Sequence, residues 1–138
     1  MKKLILMLAI AGFITSSYAQ NLMVSEVPAA VTKAFNKTHK NVDTVQWSKV
    51  NDSYKVSYDV KKKSMTYTYN TSGKLMLTEK EITFSELPVS VLSYVNDNYR
   101  GGPIKKSLKV TTPAGKSSYL VKLKDTDLAF DSRGKFIN

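Results

Sequence analysis

The pentapeptide Val24-Ser25-Glu26-Val27-Pro28 returns 60 positions later as Phe84-Ser85-Glu86-Leu87-Pro88. In a chain of 138 residues, a repeat at that distance leaves room for a whole structural unit after each copy. The flanking pattern does repeat. Val27, Val31, Ala34 and Phe35 recur at three- and four-residue spacing after the first copy; Leu87, Val91, Tyr94, Val95 and Tyr99 do so after the second. Each set is the apolar stripe of an amphipathic helix. The spacing predicts helices over about 28–39 and about 88–99, and Gly101-Gly102-Pro103 as the stop of the second. Pro28 and Pro88 fall in the first turn, where a missing N–H costs nothing. Ser25, Glu26, Ser85 and Glu86 then belong to helix starts, and Glu26 and Glu86 have equivalent capping roles.

After each helix the period changes from 3.6 to 2. Val45 and Trp47 alternate with polar residues, then Tyr54, Val56, Tyr58 and Val60, then Met65, Tyr67 and Tyr69, with turns at Asn51-Asp52 and Lys61-Lys62-Lys63. A further strand runs from about 75 to 84. In the second half, Leu108 and Val110 lie in one strand, Tyr119, Val121 and Leu123 on one face of the next, and Leu128 and Phe130 in a third. The hairpin Asn70-Thr71-Ser72-Gly73-Lys74-Leu75 reappears as Asp131-Ser132-Arg133-Gly134-Lys135-Phe136. Four features recur in order at offsets of 60 to 65. They predict an α+β fold, a tandem duplication of a unit with one helix and three to four antiparallel strands, over about 24–83 and 84–138. The helices should cover one face of the sheet. Whether the two sheets are continuous is left open.

The first residues read as an export signal. Lys2 and Lys3 precede the apolar run Leu4–Ile14, and Ser17-Tyr18-Ala19 is a small-x-small cleavage pattern. Cleavage near Ala19-Gln20 leaves residues 20–138 as one domain in the periplasm or secreted, with no membrane span remaining. The chain has no Cys. Its stability must come from packing, and thiol catalysis and Cys-ligated metals are excluded.

Charge is unevenly distributed. Residues 20–99 carry 10 basic and 8 acidic groups; residues 100–138 carry 9 basic and 3 acidic groups. A basic half suits acidic protein partners or anionic envelope polymers. By strand parity Lys105, Ser107, Lys109, Lys122 and Lys124 point outward, with Lys55 joining from the first unit and Leu120 as an apolar exception. These form the candidate binding surface; the plainer reading is a solvated face with edge-protecting lysines. Tyr54, Tyr58, Tyr67, Tyr69 and Trp47 share the apolar parity and read as core rather than as a stacking platform. Export and the separation of aromatic from basic residues argue against nucleic acid as a partner.

With two copies of Ser-Glu-[Val/Leu]-Pro, each followed by a helix, a Tyr-x-Val strand and a Gly-Lys hairpin, residues 24–136 resemble the PepSY-like proteins of Bacteroidetes. That family's fold is similar to that of beta-lactamase inhibitor proteins. The resemblance implies a periplasmic or secreted, non-enzymatic binding protein, peptidase inhibition being the role proposed for the related PepSY domain. It brings no catalytic or ligand-binding signature. The inhibitor branch binds its enzyme through aromatics on an open sheet face, and here the aromatics have the other parity.

Other chemistry finds little support. Asp125, Asp127 and Asp131 form an acidic cluster, a calcium candidate that lacks the glycine and closing glutamate of an EF-hand loop. His39 is the single histidine, at the end of helix one, where a cation suits the dipole. It cannot make a zinc site of the usual composition. No phosphate-binding glycine motif is present, and no cofactor is implied. The expected function is a protein-binding or peptidase-inhibitor-like module; the alternatives are a binder of anionic glycan and a calcium-binding protein.

Overall fold

The computed structural model describes residues 19–100 and 102–137. The predicted signal, 1–19, lies outside them except for Ala19. No helix among the described residues is long and apolar enough to cross a membrane. Among the described residues the fold is α+β, with eight strands and two α-helices. It divides into two compact units. One holds the described residues up to Lys80 together with Thr112–Ala114; the other holds Glu81–Thr111 and Gly115 onward.

The first unit contains β1 (Gln20–Leu22), α1 (Ala29–Thr38), β2 (Gln46–Val50), β3 (Ser53–Val60), β4 (Lys63–Tyr69) and β5 (Leu75–Ile82), whose last two residues belong to the second unit. The strands pair antiparallel in chain order. β1 was not foreseen from sequence. It is three residues long, too short to show a period, and pairs Leu22 with Trp47. The tight turn between β3 and β4 places Lys61 and Lys62 at positive φ, 51° and 66°. Buried at its core are Val27, Val31, Phe35, Trp47, Tyr54, Val56 and Tyr69. The alternating aromatics thus face α1, as their parity predicts.

The second unit contains α2 (Val89–Asn98), β6 (Lys106–Thr111), β7 (Ser117–Lys122) and β8 (Asp127–Phe130), again antiparallel neighbours. Its core joins Leu87, Val91 and Val95 to Val121, Leu123, Leu128 and Phe130.

Both helices start in the same way. A 3-10 turn over Val24–Glu26 or Phe84–Glu86 carries a glutamate whose carboxylate accepts a backbone N–H, from Met23 at 2.7 Å and from Thr83 at 2.7 Å. The proline carbonyl then accepts the first helical bond, Val31 N–H to Pro28 O and Val91 N–H to Pro88 O, each 2.9 Å. The helices begin one residue after the prolines, within the usual ambiguity of a helix end.

The two hairpins also match. The Asn70 side-chain oxygen accepts the N–H of Lys74 at 2.9 Å, and the Asp131 carboxylate accepts that of Lys135 at 2.9 Å. Gly73 (φ 84°) and Gly134 (φ 79°) occupy the left-handed position at each tip. Each tip is seated against the start of its helix. A Cβ on Gly73 would meet the Ala30 backbone carbonyl, and one on Gly134 the Ser90 hydroxyl.

Candidate functional site

The sequence reading put Lys105, Ser107, Lys109, Lys122 and Lys124 on one face. The register separates them. Ser107 lies opposite Val121 and Lys109 opposite Tyr119, so both are on the face that α2 covers. Lys122 is opposite Lys106, on the other face. Leu120 does not stand out as an exposed exception. It is 6% exposed and sits between Leu108 and Ala129 in a row of buried residues. The error has a physical origin. Alternation assigns two faces within a strand, but register alone decides which face matches the neighbour's. In β6 both parities hold buried residues, Ser107 on one side and Leu108 and Val110 on the other. Polarity therefore could not orient the strand. The same happens at Thr68, expected to be wet and fully buried opposite Leu77. Among the described residues, Thr68 Oγ1 and Ser107 Oγ have no hydrogen-bond partner.

The structure does bring four lysines to one end of the β6–β7 pair. Lys106 and Lys122 face each other across the strands, the Lys105 N–H donates to the Lys122 carbonyl at 2.8 Å, and Lys124 follows just beyond β7. Lys106 lies 3.5 Å from Glu81, and Lys122 lies 3.7 Å from Asp127. In the first unit Lys55 is half-buried and 3.5 Å from Glu79.

Asp127 and Asp131 are engaged separately. Asp127 turns to Lys122, and one oxygen of Asp131 is taken by the Arg133 and Lys135 N–H groups. Among the described residues no group of three or more His, Asp or Glu gathers at metal-binding distance.

His39 caps α1 and enters an aromatic cluster. Its ring stacks on Phe35 at 4.4 Å and meets the edge of Tyr67 at 4.5 Å. Its Nδ1 lies 2.7 Å from the Thr38 hydroxyl and 3.1 Å from the Phe35 carbonyl. Burial first, and then a hydrogen bond to Tyr58, push the Tyr67 hydroxyl above the ordinary phenol range. Burial does the same for Tyr69. These phenols hold their protons more tightly than free tyrosine does.

Two open cavities stand out among the described residues. One of about 500 Å³ lies in the first unit, where Thr44–Gln46 part from Ser57–Asp59. The other, about 400 Å³, runs beside α2 between Phe84, Leu92, Tyr99 and Ile104. Sequence reasoning did not mark the second. Its signal was Leu92, beside the core stripe on α2 that already counts Tyr99.

A helix start tied down by a glutamate and a strand hairpin, seen in each of two helix-on-sheet units, places the molecule among small antiparallel α+β proteins. The chain belongs to the family described as "Putative beta-lactamase-inhibitor-like, PepSY-like", whose profile matches residues 14–76 and, overlapping, 52–138. Solved structures share the fold. A "putative periplasmic" protein of Bacteroides eggerthii is 13% identical, with 81% of this chain and 86% of that chain covered and a TM-score of 0.72. A DUF2874 family protein of Bacteroides uniformis is 20% identical, covering 81% and 87%, with a TM-score of 0.70. A BLIP-like protein of Bacteroides fragilis is 18% identical, covering 80% and 84%, with a TM-score of 0.61. None of these three descriptions names an enzyme. Among curated proteins no match is found.

Proposed function

We propose that this chain is an exported, non-enzymatic binding protein that holds an acidic surface of a partner protein at the lysine-bearing end of β6 and β7. The observation that carries this reading is Lys106 directly across from Lys122. Like charges opposed across strands weaken a sheet. Each lysine leans toward one carboxylate, yet their side chains stay 37% and 45% exposed. Lys124 extends the same positive end. An incoming carboxylate surface relieves the repulsion, so charge complementarity supplies specificity and encounter rate. Of the surface first read from sequence, Lys122 and Lys124 stay in the proposed site and Lys106 joins them; Lys55, Lys105, Lys109 and Leu120 do not.

The signal pattern and the fold shared with a protein described as periplasmic support work outside the cytoplasm. The matched helix starts and hairpins support a single domain built by tandem duplication of one unit. The inhibitor-like family description supports a protein rather than a small molecule as ligand.

The test uses the exported chain from Gln20 as bait on periplasmic extract, with Lys106→Glu/Lys122→Glu beside it. The intact chain should enrich a defined protein that the double variant does not retain. Equal retention by both would overturn the reading. Retention of polysaccharide alone, released steeply by moderate salt, would replace it with the anionic-glycan alternative.

A further inference from the structure

The groove beside α2 exists because the second unit places its aromatic bulk differently from the first. In α1 the Phe35 ring lies against His39 and meets the edge of Trp47 at 5.7 Å, filling that flank. The residue 60 positions later is Val95. Aromatic mass in the second unit comes instead from Tyr94, stacked on Phe136 at 4.6 Å and edge-on to Phe130 at 5.5 Å. Adjacent residues on a helix point about 100° apart. Moving the bulk by one residue fills one flank and leaves the other open.

The open flank is also apolar where its counterpart is not. Val89, Leu92, Asn96 and Tyr99 form one row along α2; the residues 60 positions earlier are Ala29, Thr32, Asn36 and His39. Phe84, which lines the groove, is 64% exposed. Leu92, Tyr99 and Ile104 pack against the core with one side and stay partly exposed with the other. Exposed apolar surface gathered at a concavity marks an interaction site more than single exposed residues do. A volume of about 400 Å³ accepts one large side chain and its neighbours, not a folded domain.

Charge identifies the rest of the occupant. Arg100 directly follows Tyr99, and Lys105 directly follows Ile104, so each of two lining residues has a cation as its chain neighbour. Both are exposed, and among the described residues neither is in an ion pair. We infer that the groove docks a short extended segment of a partner protein, a leucine or aromatic side chain followed by acidic residues. The apolar side chain enters between Leu92, Tyr99 and Ile104, and the carboxylates meet Arg100 and Lys105. The inference rests on reading the chain as a protein-binding module and adds the sequence class that it recognises.

The probe is acetyl-Gly-Leu-Phe-Asp-Glu-amide, titrated into isotopically labelled exported chain from Gln20 and followed by amide chemical shifts. Shifts should concentrate at Phe84, Leu92, Tyr99 and Ile104, with weak affinity typical of a short peptide. The same peptide with lysines in place of its acids should bind about tenfold more weakly. Leu92→Thr/Tyr99→His installs the residues that the first unit carries, and should abolish the shifts while the thermal midpoint stays near that of the parent. If the variant unfolds, Arg100→Glu/Lys105→Glu, on exposed positions, must still remove the preference for acidic peptide. Absence of shifts at millimolar peptide, or indifference to peptide charge, overturns the inference. So do equal shifts with an uncharged detergent, or shifts that grow with protein concentration alone and place a second copy in the groove. A silent groove alongside a partner still lost on Lys106→Glu/Lys122→Glu would remove this inference and leave the proposed function standing.

Discussion

Around α1 the aromatic rings gather on the Phe35–His39 side; around α2 they gather on the Tyr94 side. The helices otherwise bury equivalent positions, Val27, Val31 and Phe35 against Leu87, Val91 and Val95. Two sequences can therefore keep one scaffold while differing in which flank is filled. The scaffold is carried by the glutamate-tied turn, the valine on the core stripe and the glycine hairpin. The flank is free to vary, and it is where one unit is filled by rings and the other is open.

The largest difference between the two flanks should appear when the filler is removed. Phe35 is 2% exposed and touches His39, Trp47, Tyr58 and Tyr67 through its ring. Phe35→Ala should cost about 3–5 kcal/mol in urea unfolding, the range for a buried phenylalanine. Val95→Ala removes fewer methyl groups beside an existing groove and should cost about 1–2 kcal/mol. Equal losses would mean that the two flanks are not differently packed.

The hairpin glycines give the next largest effect. Gly73→Ala and Gly134→Ala both place a Cβ at positive φ, which costs about 1–2 kcal/mol. They differ in what the Cβ meets. Beside Gly73 it is the backbone carbonyl of Ala30, which can yield only by moving the helix start. Beside Gly134 the nearest atom is the Ser90 hydroxyl, a side chain that can rotate at the expense of its 3.1 Å bond to the Arg133 carbonyl. Gly73→Ala should be the more destabilising of the two by thermal unfolding. The reverse order would show that the second hairpin, not the first, is the more tightly seated.

These two features were legible in the sequence to different degrees, for physical reasons. The helix starts and hairpins depend on local residue types, Ser-Glu-x-Pro and Gly at a turn, so a single chain displays them. The lysine face depended on register between β6 and β7, which no residue in either strand states. Once Ser107 is buried beside Leu108, polarity stops marking the wet side. The groove was half legible. Leu92 is visible beside the core stripe, but the emptiness of the groove depends on where Tyr94, Phe130 and Phe136 meet, which is a fact of packing across elements.

The smallest expected effect tests the chemistry of the filled flank. Tyr67 is half-buried, and its pKa is raised from the ordinary 10.0 by burial first and by its hydrogen bond to Tyr58 second. A phenol with a raised folded pKa binds its proton more tightly in the native chain than in the unfolded one. The stabilisation is complete below the unfolded value and is lost as pH climbs through the folded one. Above about pH 10 the unfolded chain ionises first, and the folded state loses ground. Tyr69 shifts in the same direction, again by burial. The counterpart cluster in the second unit joins Tyr94 to Phe130 and Phe136, two rings of three that cannot ionise. Urea midpoints measured from about pH 8 to 11 should fall less steeply in Tyr67→Phe than in the parent. Amide exchange should show the alkaline loosening at Val56 and Phe35 before Val121 and Phe130. Identical slopes in the two proteins would mean that the Tyr67 hydroxyl is hydrated in solution and that the filled flank is looser than its ring contacts describe.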